Sequence, residues 1–387
     1  MKKRAIRTAL VLLTAVLLAA GCSSTGGSAA AGPPAESPKS AAAAPRTFRY
    51  FLYAANTNSN NVSAYAIDAD TGALAAVQGS PFPAGTGPRG VAVDPSGKFV
   101  YVANYGSNDI SAYSLDMASG ALTELKGSPF AAAAGPWHLA ADPAGKLIFV
   151  TNYGADKLSA YAIDGASGAL AAVRGSPFAA GSSPAGVAMD ATGSLLCVAN
   201  NGSRDVSTYA VSGGAGAAKA VRGAAVGAGV YPAGVAVDPT GRFVYVTNNG
   251  SASVSGYLVD RGTGTLAQVK GSPFPTGPSP WDIAVEPAGK FVYAANASSS
   301  TVAGYKINDH TGALTAVVGS PFPAGSSPRG IAIDPAGMHV YTANFASNNV
   351  SAYSLDKDTG ALTPVEGSPF PAGTRPVCVA VAAVPVR

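Results

Sequence analysis

The hexapeptide Phe243-Val244-Tyr245-Val246-Thr247-Asn248 returns along the chain, in related form, at a fixed interval. Its closing asparagine recurs every 48 residues, at Asn56, Asn104, Asn152, Asn200, Asn248, Asn296 and Asn344. A period of this length is typical of repeat architectures, in which no single unit buries its apolar face alone. The sequence therefore contains seven copies of one structural unit.

Each copy predicts four short strands. In the second copy, turn residues at 94–97 and 116–120 and a polar loop at 104–109 separate segments rich in β-branched and aromatic residues. The predicted strands cover residues 91–93, 99–103, 110–115 and 121–126. Four antiparallel strands repeated seven times indicate an all-β fold, a seven-bladed β-propeller.

The first copy lacks its first strand, because nothing before Asn56 matches the 91–93 segment. Residues 376–382 stand at the right phase after the last copy, and no further strands follow them. We therefore expect this C-terminal segment to pair beside residues 51–55 and to close the ring. Closure removes two sheet edges that would otherwise be exposed to aggregation.

The N-terminal 21 residues have the pattern of a targeting segment, with four basic residues ahead of an apolar run at 9–20. The sequence Leu18-Ala19-Ala20-Gly21-Cys22 resembles a lipoprotein lipobox, which implies cleavage before Cys22 and its acylation. An ordinary secretory signal with a chance cysteine is the alternative. Residues 22–47 are predicted to be a flexible tether and 48–387 the propeller. The expected location is the cell envelope, with Ser23 favouring the outer membrane if the host is Gram-negative.

Charge and motifs exclude several function classes. Removing the four basic residues of the targeting segment from 25 leaves 21 against 21 acidic residues, so a field that would attract nucleic acid is absent. No phosphate-cradling loop, nucleophile elbow or zinc-ligand pattern is present, so neither a cofactor nor a metal is predicted. Cys197 and Cys378 fall on different blades and are not expected to form a disulfide. We expect a monomer.

The seven copies act as an internal comparison, because a residue type present in every copy serves the blade. By this criterion the tyrosine of the third strand, repeated from Tyr65 to Tyr353, is a packing residue. The aspartates at 94, 142, 190, 238 and 334, with Glu286 as a variant, are turn formers rather than paired catalytic carboxylates.

Two columns of variable residues are predicted to ring one mouth of the central channel, one after the recurring proline and one after the recurring asparagine. On five consecutive blades the first column supplies Trp281 with Asp282, Arg329, Val377, Arg89, and Trp137 with His138, and the other two blades offer only Ala and Gly. The second column adds Tyr105, Tyr153 and Phe345. These residues are predicted to form a concave site, although tryptophans that plug the channel beside solvated arginines are an alternative.

The Tyr-Val-Thr-Asn motif at 245–248 and its Pro-x-Gly-Val-Ala-x-Asp-Pro context resemble the YVTN-repeat propellers of the seven-bladed lactonase family, which includes 6-phosphogluconolactonases. The resemblance covers residues 48–384 and implies a site at the channel mouth. That family commonly has Pro-His-x-His at one inner strand, followed by an Asp-Leu-Gly loop. Here Trp137 replaces the first His, His138 keeps the second, and Asn152-Tyr153-Gly154 replaces the acidic loop.

Two hypotheses follow from this site. As an enzyme, the protein would hydrolyse a sugar lactone, with His138 as the general base, Asp282 orienting it, and Arg89 and Arg329 holding anionic groups. As a binding protein, the lipid-anchored propeller would present the same surface, including Trp137, Trp281, Tyr105, Tyr153 and Phe345, to a lactone, glycan or protein ligand. The near-uniform blades and the altered histidine motif favour binding.

Overall fold

The computed structural model describes residues 48–212, 218–220 and 225–386, and these are all-β. Seven sheets, here called blades 1 to 7 in chain order, follow one another around a ring. The predicted fold class is thereby confirmed. The predicted targeting segment, Cys22 and the tether lie outside the described residues. The described part of the chain has no helix with the length and hydropathy needed to span a bilayer.

The strands are numbered in chain order. Blade 1 contains β1 (Phe48–Asn56), β2 (Asn61–Ile67), β3 (Leu74–Ala76) and β4 (Phe82–Pro83), and blade 2 contains β5 (Pro88–Val93), β6 (Phe99–Asn104), β7 (Asp109–Leu115), β8 (Leu122–Glu124) and β9 (Phe130–Ala131). Blade 3 contains β10 (Pro136–Ala141), β11 (Leu147–Asn152), β12 (Lys157–Ile163), β13 (Leu170–Ala172) and β14 (Phe178–Ala179). Blade 4 contains β15 (Pro184–Met189), β16 (Leu195–Asn200), β17 (Asp205–Val211), β18 (Ala218–Ala220) and β19 (Val226–Gly227). Blade 5 contains β20 (Pro232–Val237), β21 (Phe243–Asn248), β22 (Ser253–Val259), β23 (Leu266–Gln268) and β24 (Phe274–Pro275). Blade 6 contains β25 (Pro280–Val285), β26 (Phe291–Asn296), β27 (Thr301–Ile307), β28 (Leu314–Ala316) and β29 (Phe322–Pro323). Blade 7 contains β30 (Pro328–Ile333), β31 (His339–Asn344), β32 (Asn349–Leu355), β33 (Leu362–Pro364) and β34 (Phe370–Pro371), and β35 (Pro376–Pro385) completes blade 1.

Each blade has the four predicted antiparallel strands, but the outermost strand is interrupted. In blade 2, β8 and the two-residue β9 both pair with β7. Between them the Ser128 hydroxyl accepts the N–H of Ala112 at 3.0 Å and so takes over one backbone position of the ladder. The predicted strand at 121–126 is therefore shorter than expected and continues after a break.

The recurring asparagine lies in a strand and not in a loop. Asn104 was predicted to begin the polar loop, yet it ends β6 and is fully buried. Its Nδ2 donates to Asp109 Oδ1 at 2.7 Å and to Ser111 Oγ at 2.9 Å, both on β7. A buried amide is tolerated because hydrogen bonds satisfy it, and this pairing fixes the start of the third strand.

The C-terminal strand closes the ring, as predicted. The antiparallel register between β1 and β35 runs from Phe48 opposite Pro385 to Asn56 opposite Pro376. Blade 1 is thus built from both ends of the described chain, and β1 is paired on both sides.

The third-strand tyrosines are buried, as predicted, and they also connect neighbouring blades. The hydroxyl of Tyr161 donates to the carbonyl of Ala131 in blade 2 at 3.0 Å, and Tyr257 donates to Gly227 in blade 4 at 2.9 Å. All seven members of this column bond the short outermost strand of the preceding blade, which is β4 for Tyr113 and the fifth strand of the blade for the other six. The column therefore fixes the spacing between blades.

The recurring aspartates form turns, which confirms their predicted role. Asp94 is buried, and its Oδ1 accepts the N–H groups of Lys98 at 2.8 Å and Phe99 at 2.6 Å. Blade 7 varies this arrangement, because buried His339 places Nδ1 2.8 Å from Asp334 Oδ2 where other blades have an apolar side chain. His310, in the turn that follows β27, is exposed.

Candidate functional site

One mouth of the central channel contains a cavity of about 270 Å³. Residues of both predicted columns line it, which confirms that the two sets of loops emerge on one face. From the first column it is lined by Arg89, Trp137, His138, Ala185, Gly186, Ala233, Gly234, Trp281, Asp282, Arg329, Val377 and Cys378, and from the second by Tyr153, Asn201 and Asn249. Tyr105 and Phe345 do not line the cavity but support its arginines.

Arg89 and Trp137 form one part of the cavity lining. The Arg89 guanidinium carbon lies 4.4 Å from the ring centroid of Trp137 and 5.5 Å from that of Tyr105. Tyr153 stacks on Trp137, with centroids 4.6 Å apart and an interplanar angle of 26°. A cation over an aromatic ring is held by the quadrupole of the ring without a counter-charge. The ring of Tyr105 also meets Trp137 edge-on at 5.5 Å, so Trp137 is engaged by three protein partners.

Arg329 forms a similar arrangement with aromatic rings in another part of the cavity lining. Its guanidinium carbon lies 3.5 Å from the ring centroid of Phe345 and 4.6 Å from that of Trp281. A third cation, Arg375, lies 5.1 Å from the Phe345 centroid. Two arginines from blades 2 and 7 thus flank blade 1, each held on aromatic rings.

The two guanidiniums lack polar partners among the described residues. The Nε atoms of Arg89 and Arg329 are buried without a hydrogen bond, and neither side chain forms an ion pair with a described residue. Burial lowers the pKa of Arg89. Burial, with the positive charges of Arg89 and Arg375, lowers the pKa of Arg329 to about 10. A buried unsatisfied donor costs about 1–3 kcal/mol, and more when charged, and hydrogen bonds to an anion are one way in which both donors could be satisfied.

A β-bulge places His138 at the cavity. In blade 3 the register between β10 and β11 shifts between Pro136 and Leu139, so that Trp137 and His138 together lie opposite the single residue Thr151. Thr151 stabilises this irregular backbone, because its Oγ1 accepts the His138 N–H at 3.1 Å. The Nδ1 of His138 is buried and has no hydrogen-bond partner. Bulges of this kind turn a side chain toward a site.

Asp282 is buried near His138 but is held by backbone groups. Its Oδ1 accepts the N–H of Ile283 at 2.9 Å, and its Oδ2 accepts the N–H of Ile331 in blade 7 at 3.1 Å. Burial raises the pKa of Asp282, and the attraction of His138 opposes this effect. The carboxylate thus connects two inner strands and acts on His138 through its charge, whereas we had expected direct orientation.

Cys378 contributes a thiol to the cavity lining. Burial, together with the charge of Asp282, raises the pKa of its thiol to about 12. The nucleophilic form of cysteine is the thiolate, so Cys378 is neutral and unreactive near pH 7. Cys197 is likewise a buried free thiol.

The side of the cavity formed by blades 4 and 5 was predicted to be an open floor of Ala and Gly. Packing explains the glycine here, because a Cβ on Gly234 would lie 2.7 Å from the Cα of Asp282 on the next inner strand. The floor is also partly covered by Tyr231, which was not predicted. The sequence feature that could have indicated Tyr231 is the position before the recurring proline, where the other copies have Gly, Ser or Arg.

A family model for seven-bladed lactonase β-propellers matches residues 28–134, 127–231, 218–325 and 282–381. The chain belongs to this lactonase family. The suspected resemblance is thus confirmed for nearly the whole propeller. No curated protein sequence matches the chain.

Solved structures similar to this lactonase-family propeller share its fold at low sequence identity. A candidate 6-phosphogluconolactonase from Bacteroides uniformis has a TM-score of 0.75 at 22% identity, covering 87% of this chain and 100% of the other. A second such candidate, from Bacteroides fragilis, has a TM-score of 0.74 at 22% identity, with coverages of 87% and 98%. A periplasmic gluconolactonase from Pseudomonas aeruginosa has a TM-score of 0.73 at 20% identity, with coverages of 87% and 100%.

Proposed function

We propose that this propeller hydrolyses a lactone that carries an anionic group, with its site in the cavity at the channel mouth. The observation that carries the proposal is the pair of half-buried arginines, Arg89 and Arg329, whose buried Nε atoms have no partner among the described residues. Charge-assisted hydrogen bonds to an anion would satisfy these donors. Membership of the lactonase family favours hydrolysis over the binding-only function that the sequence alone favoured.

The residues of the cavity can be assigned to the steps of lactone hydrolysis. His138 would accept a proton from water while the water oxygen bonds to the lactone carbonyl carbon. The guanidinium of Arg89 or Arg329 would stabilise the negative charge that develops on the carbonyl oxygen. Collapse of the intermediate breaks the ring C–O bond, and His138 returns its proton to the departing ring oxygen. The product is an open-chain hydroxy acid.

The buried charge of Asp282 would support this role of His138. A carboxylate near an imidazole favours the protonated imidazolium that forms during the reaction. Since its two oxygens already accept backbone N–H groups, Asp282 would be a positioning residue that keeps the inner strands of blades 6 and 7 in place and supplies charge.

Recognition without chemistry is a second candidate function, and one observation favours it. The Nδ1 of His138 has no hydrogen-bond partner, so no described group orients the imidazole as a general base usually requires. In this case the same arginines would bind the anionic group of a glycan or protein ligand, and the aromatic residues would contact the remainder.

We further propose, from the sequence, that the protein is a lipid-anchored, extracytoplasmic protein of the cell envelope, attached through Cys22. Its contact with the membrane would be made only by the acyl chains. Cys22→Ala should then move the protein from the membrane fraction into the extracytoplasmic fraction. A variant that stays in the membrane pellet after a salt wash would contradict lipid attachment at Cys22.

The hydrolysis proposal is tested with the purified full-length chain and two substrates, glucono-δ-lactone and its 6-phospho derivative. Lactone loss is followed against the uncatalysed rate at the same pH. We expect turnover, with kcat/KM at least tenfold higher for the phosphorylated substrate because it can bond the arginines. A rate equal to background for both substrates would reject hydrolysis of sugar lactones and favour recognition.

A further inference from the structure

Tyr231 is a large side chain at a position where five of the six counterparts are Gly or Ser and the sixth is Arg375. The residue that precedes the recurring proline has a positive φ in every blade, and the other copies supply Gly87, Gly135, Ser183, Ser279, Ser327 and Arg375. Tyr231 has a φ of 53° in this position. Left-handed backbone conformation is costly for a bulky side chain and is retained where the surroundings or a function require it. A small residue would meet the needs of the fold here.

The loop that carries Tyr231 has also lost a contact present between other blades. The N–H of the equivalent residue usually bonds a side chain of the preceding blade, as Gly135 bonds Asn108 Oδ1 at 2.7 Å and Ser183 bonds Asp156 Oδ1 at 2.7 Å. In blade 4 the corresponding residue is Arg204, which has no acceptor atom. Its guanidinium carbon lies instead 5.7 Å from the Tyr231 ring centroid. The contact between Arg204 and Tyr231 thus replaces a hydrogen bond that elsewhere connects neighbouring blades of the propeller.

Among the aromatic residues that line the cavity, Tyr231 has the most accessible ring. Trp137 is engaged by Arg89 and Tyr153, and Trp281 by Arg329. Tyr231 is 47% exposed and makes no ring stacking contact with another described aromatic residue. It stands at the Ala185 and Ala233 side of the cavity, where no other large side chain is available.

We propose that Tyr231 is a specificity-determining residue, whose ring stacks on the apolar face of a cyclic ligand while the arginines hold the anionic group of that ligand. The inference rests on the proposed site at the channel mouth. It assigns to this site a preference for anions that carry a saturated ring over anions of similar charge without one. The strained conformation of Tyr231 is then the cost of placing an aromatic wall opposite the arginines.

The test measures calorimetric binding of two probes to the full-length chain. Sodium glucuronate offers a carboxylate on a pyranose ring, and sodium acetate offers a carboxylate of the same charge without a ring. We expect Tyr231→Ser to weaken glucuronate binding about three- to tenfold, as loss of one stacked ring would, and to change acetate binding less than twofold. Tyr231→Phe should bind both probes like the wild type, because it keeps the ring.

The matched control is Ser279→Gly, at the equivalent position of the next blade, where the side chain does not line the cavity. Ser279→Gly should keep or raise the Tm, because glycine relieves left-handed strain, and Tyr231→Ser should leave the Tm nearly unchanged, because serine occupies this position in other blades. Only Tyr231→Ser should alter glucuronate binding. Equal loss of both probes in Tyr231→Ser, unchanged glucuronate binding, or a wild type without preference for glucuronate would each overturn the proposal. A glucuronate preference without any lactone turnover would reject hydrolysis alone and leave the role of Tyr231 supported.

Discussion

The interior of the blades and the mouth of the channel are made from the same 48-residue copies, but residues vary little between copies in the interior and widely at the mouth. In the interior, the third-strand tyrosine is kept in all seven copies and bonds the preceding blade each time. At the mouth, the residues after the proline range from Gly to Trp. The mouth contains features that cost stability, including two arginines with buried, unpaired Nε atoms and a left-handed tyrosine. Repetition therefore marks the fold, and costly exceptions mark the candidate site.

The largest expected effect comes from removing part of the interior. Deleting residues 376–387 would remove β35 and leave β1 and the neighbouring inner strands without their partner. We expect loss of cooperative folding for the whole ring, since blade 1 separates blades 2 and 7. Thermal unfolding and size-exclusion chromatography test this expectation. A truncated protein with the Tm and elution volume of the wild type would show that closure is dispensable.

At the mouth, His138→Ala should produce the largest functional effect with little change in folding. We expect kcat for the phosphorylated lactone to fall by about 10²- to 10⁴-fold, as for loss of a general base, with KM changed only a few-fold. His310→Ala is the control, because that histidine is exposed on the opposite face. Turnover that survives in His138→Ala would remove His138 as the base.

Replacing the cavity arginines should separate binding from stability. We expect Arg89→Met and Arg329→Met each to weaken anion binding by about 1.5–3 kcal/mol, the value of a charge-assisted hydrogen bond, or about 10- to 150-fold. The Tm should stay constant or rise, because a buried charge is replaced by a side chain of similar length.

Arg242→Met is the matched control for these variants. Its guanidinium carbon also lies near an aromatic ring, 5.1 Å from the Phe243 centroid, but the residue does not line the cavity. Sulfate affinity should therefore be unchanged in this variant. Equal losses in all three variants would indicate a general charge effect rather than a site.

Tyr161→Phe should show the reverse pattern. It removes the hydrogen bond to Ala131 in the neighbouring blade and leaves the ring in place. We expect a loss of about 0.5–1.5 kcal/mol in the free energy of unfolding, measured by denaturant titration, with unchanged sulfate affinity. A loss of affinity without a loss of stability would contradict the division between interior and mouth.

The effect that is smallest near neutral pH concerns the pH dependence of stability. Burial raises the pKa of Cys197 from 9.0 to about 12, so the folded state keeps a proton that the unfolded state releases above pH 9. Stability should therefore be unaffected below pH 9 and fall as the pH rises toward 12, by up to about 1.4 kcal/mol per pH unit. Cys197→Ala should flatten this slope between pH 9 and 11, in addition to any pH-independent loss from the small cavity. An unchanged slope would show that other groups cause it.

The fold was predictable because its determinants recur. The period, the turn aspartates and the phase of residues 376–382 specified blade number and closure without any tertiary information. What the sequence could not show was how side chains reach across blades. The hydrogen bond between Asn104 and Ser111 depends on strand register, and the one between Tyr161 and Ala131 depends on the distance between blades. In the sequence these residues appear only as types that recur in each copy, without their partners.

The candidate site was predictable only in part. Alignment of the copies identified the arginines, tryptophans and His138, because these are exceptions in columns that face one mouth. It did not show that Trp137 is covered by Arg89 and Tyr153, or that both oxygens of Asp282 accept backbone N–H groups. Tyr231 was not predicted, because it lies outside the two columns, at the residue before the recurring proline. The positive φ of that position, which makes a large residue there costly, is visible only in the structure.

The pairing of Phe48 with Pro385 has a consequence for rearranging the gene. These two residues lie side by side at the face opposite the cavity, because β1 runs toward the mouth and β35 runs away from it. A short hairpin could join them, and new ends could be opened in the turn at 116–120 of the same face, which would give a circular permutant with the same seven blades. Such a permutant would move the non-covalent joint from blade 1 to blade 2 while leaving every cavity residue in its original place.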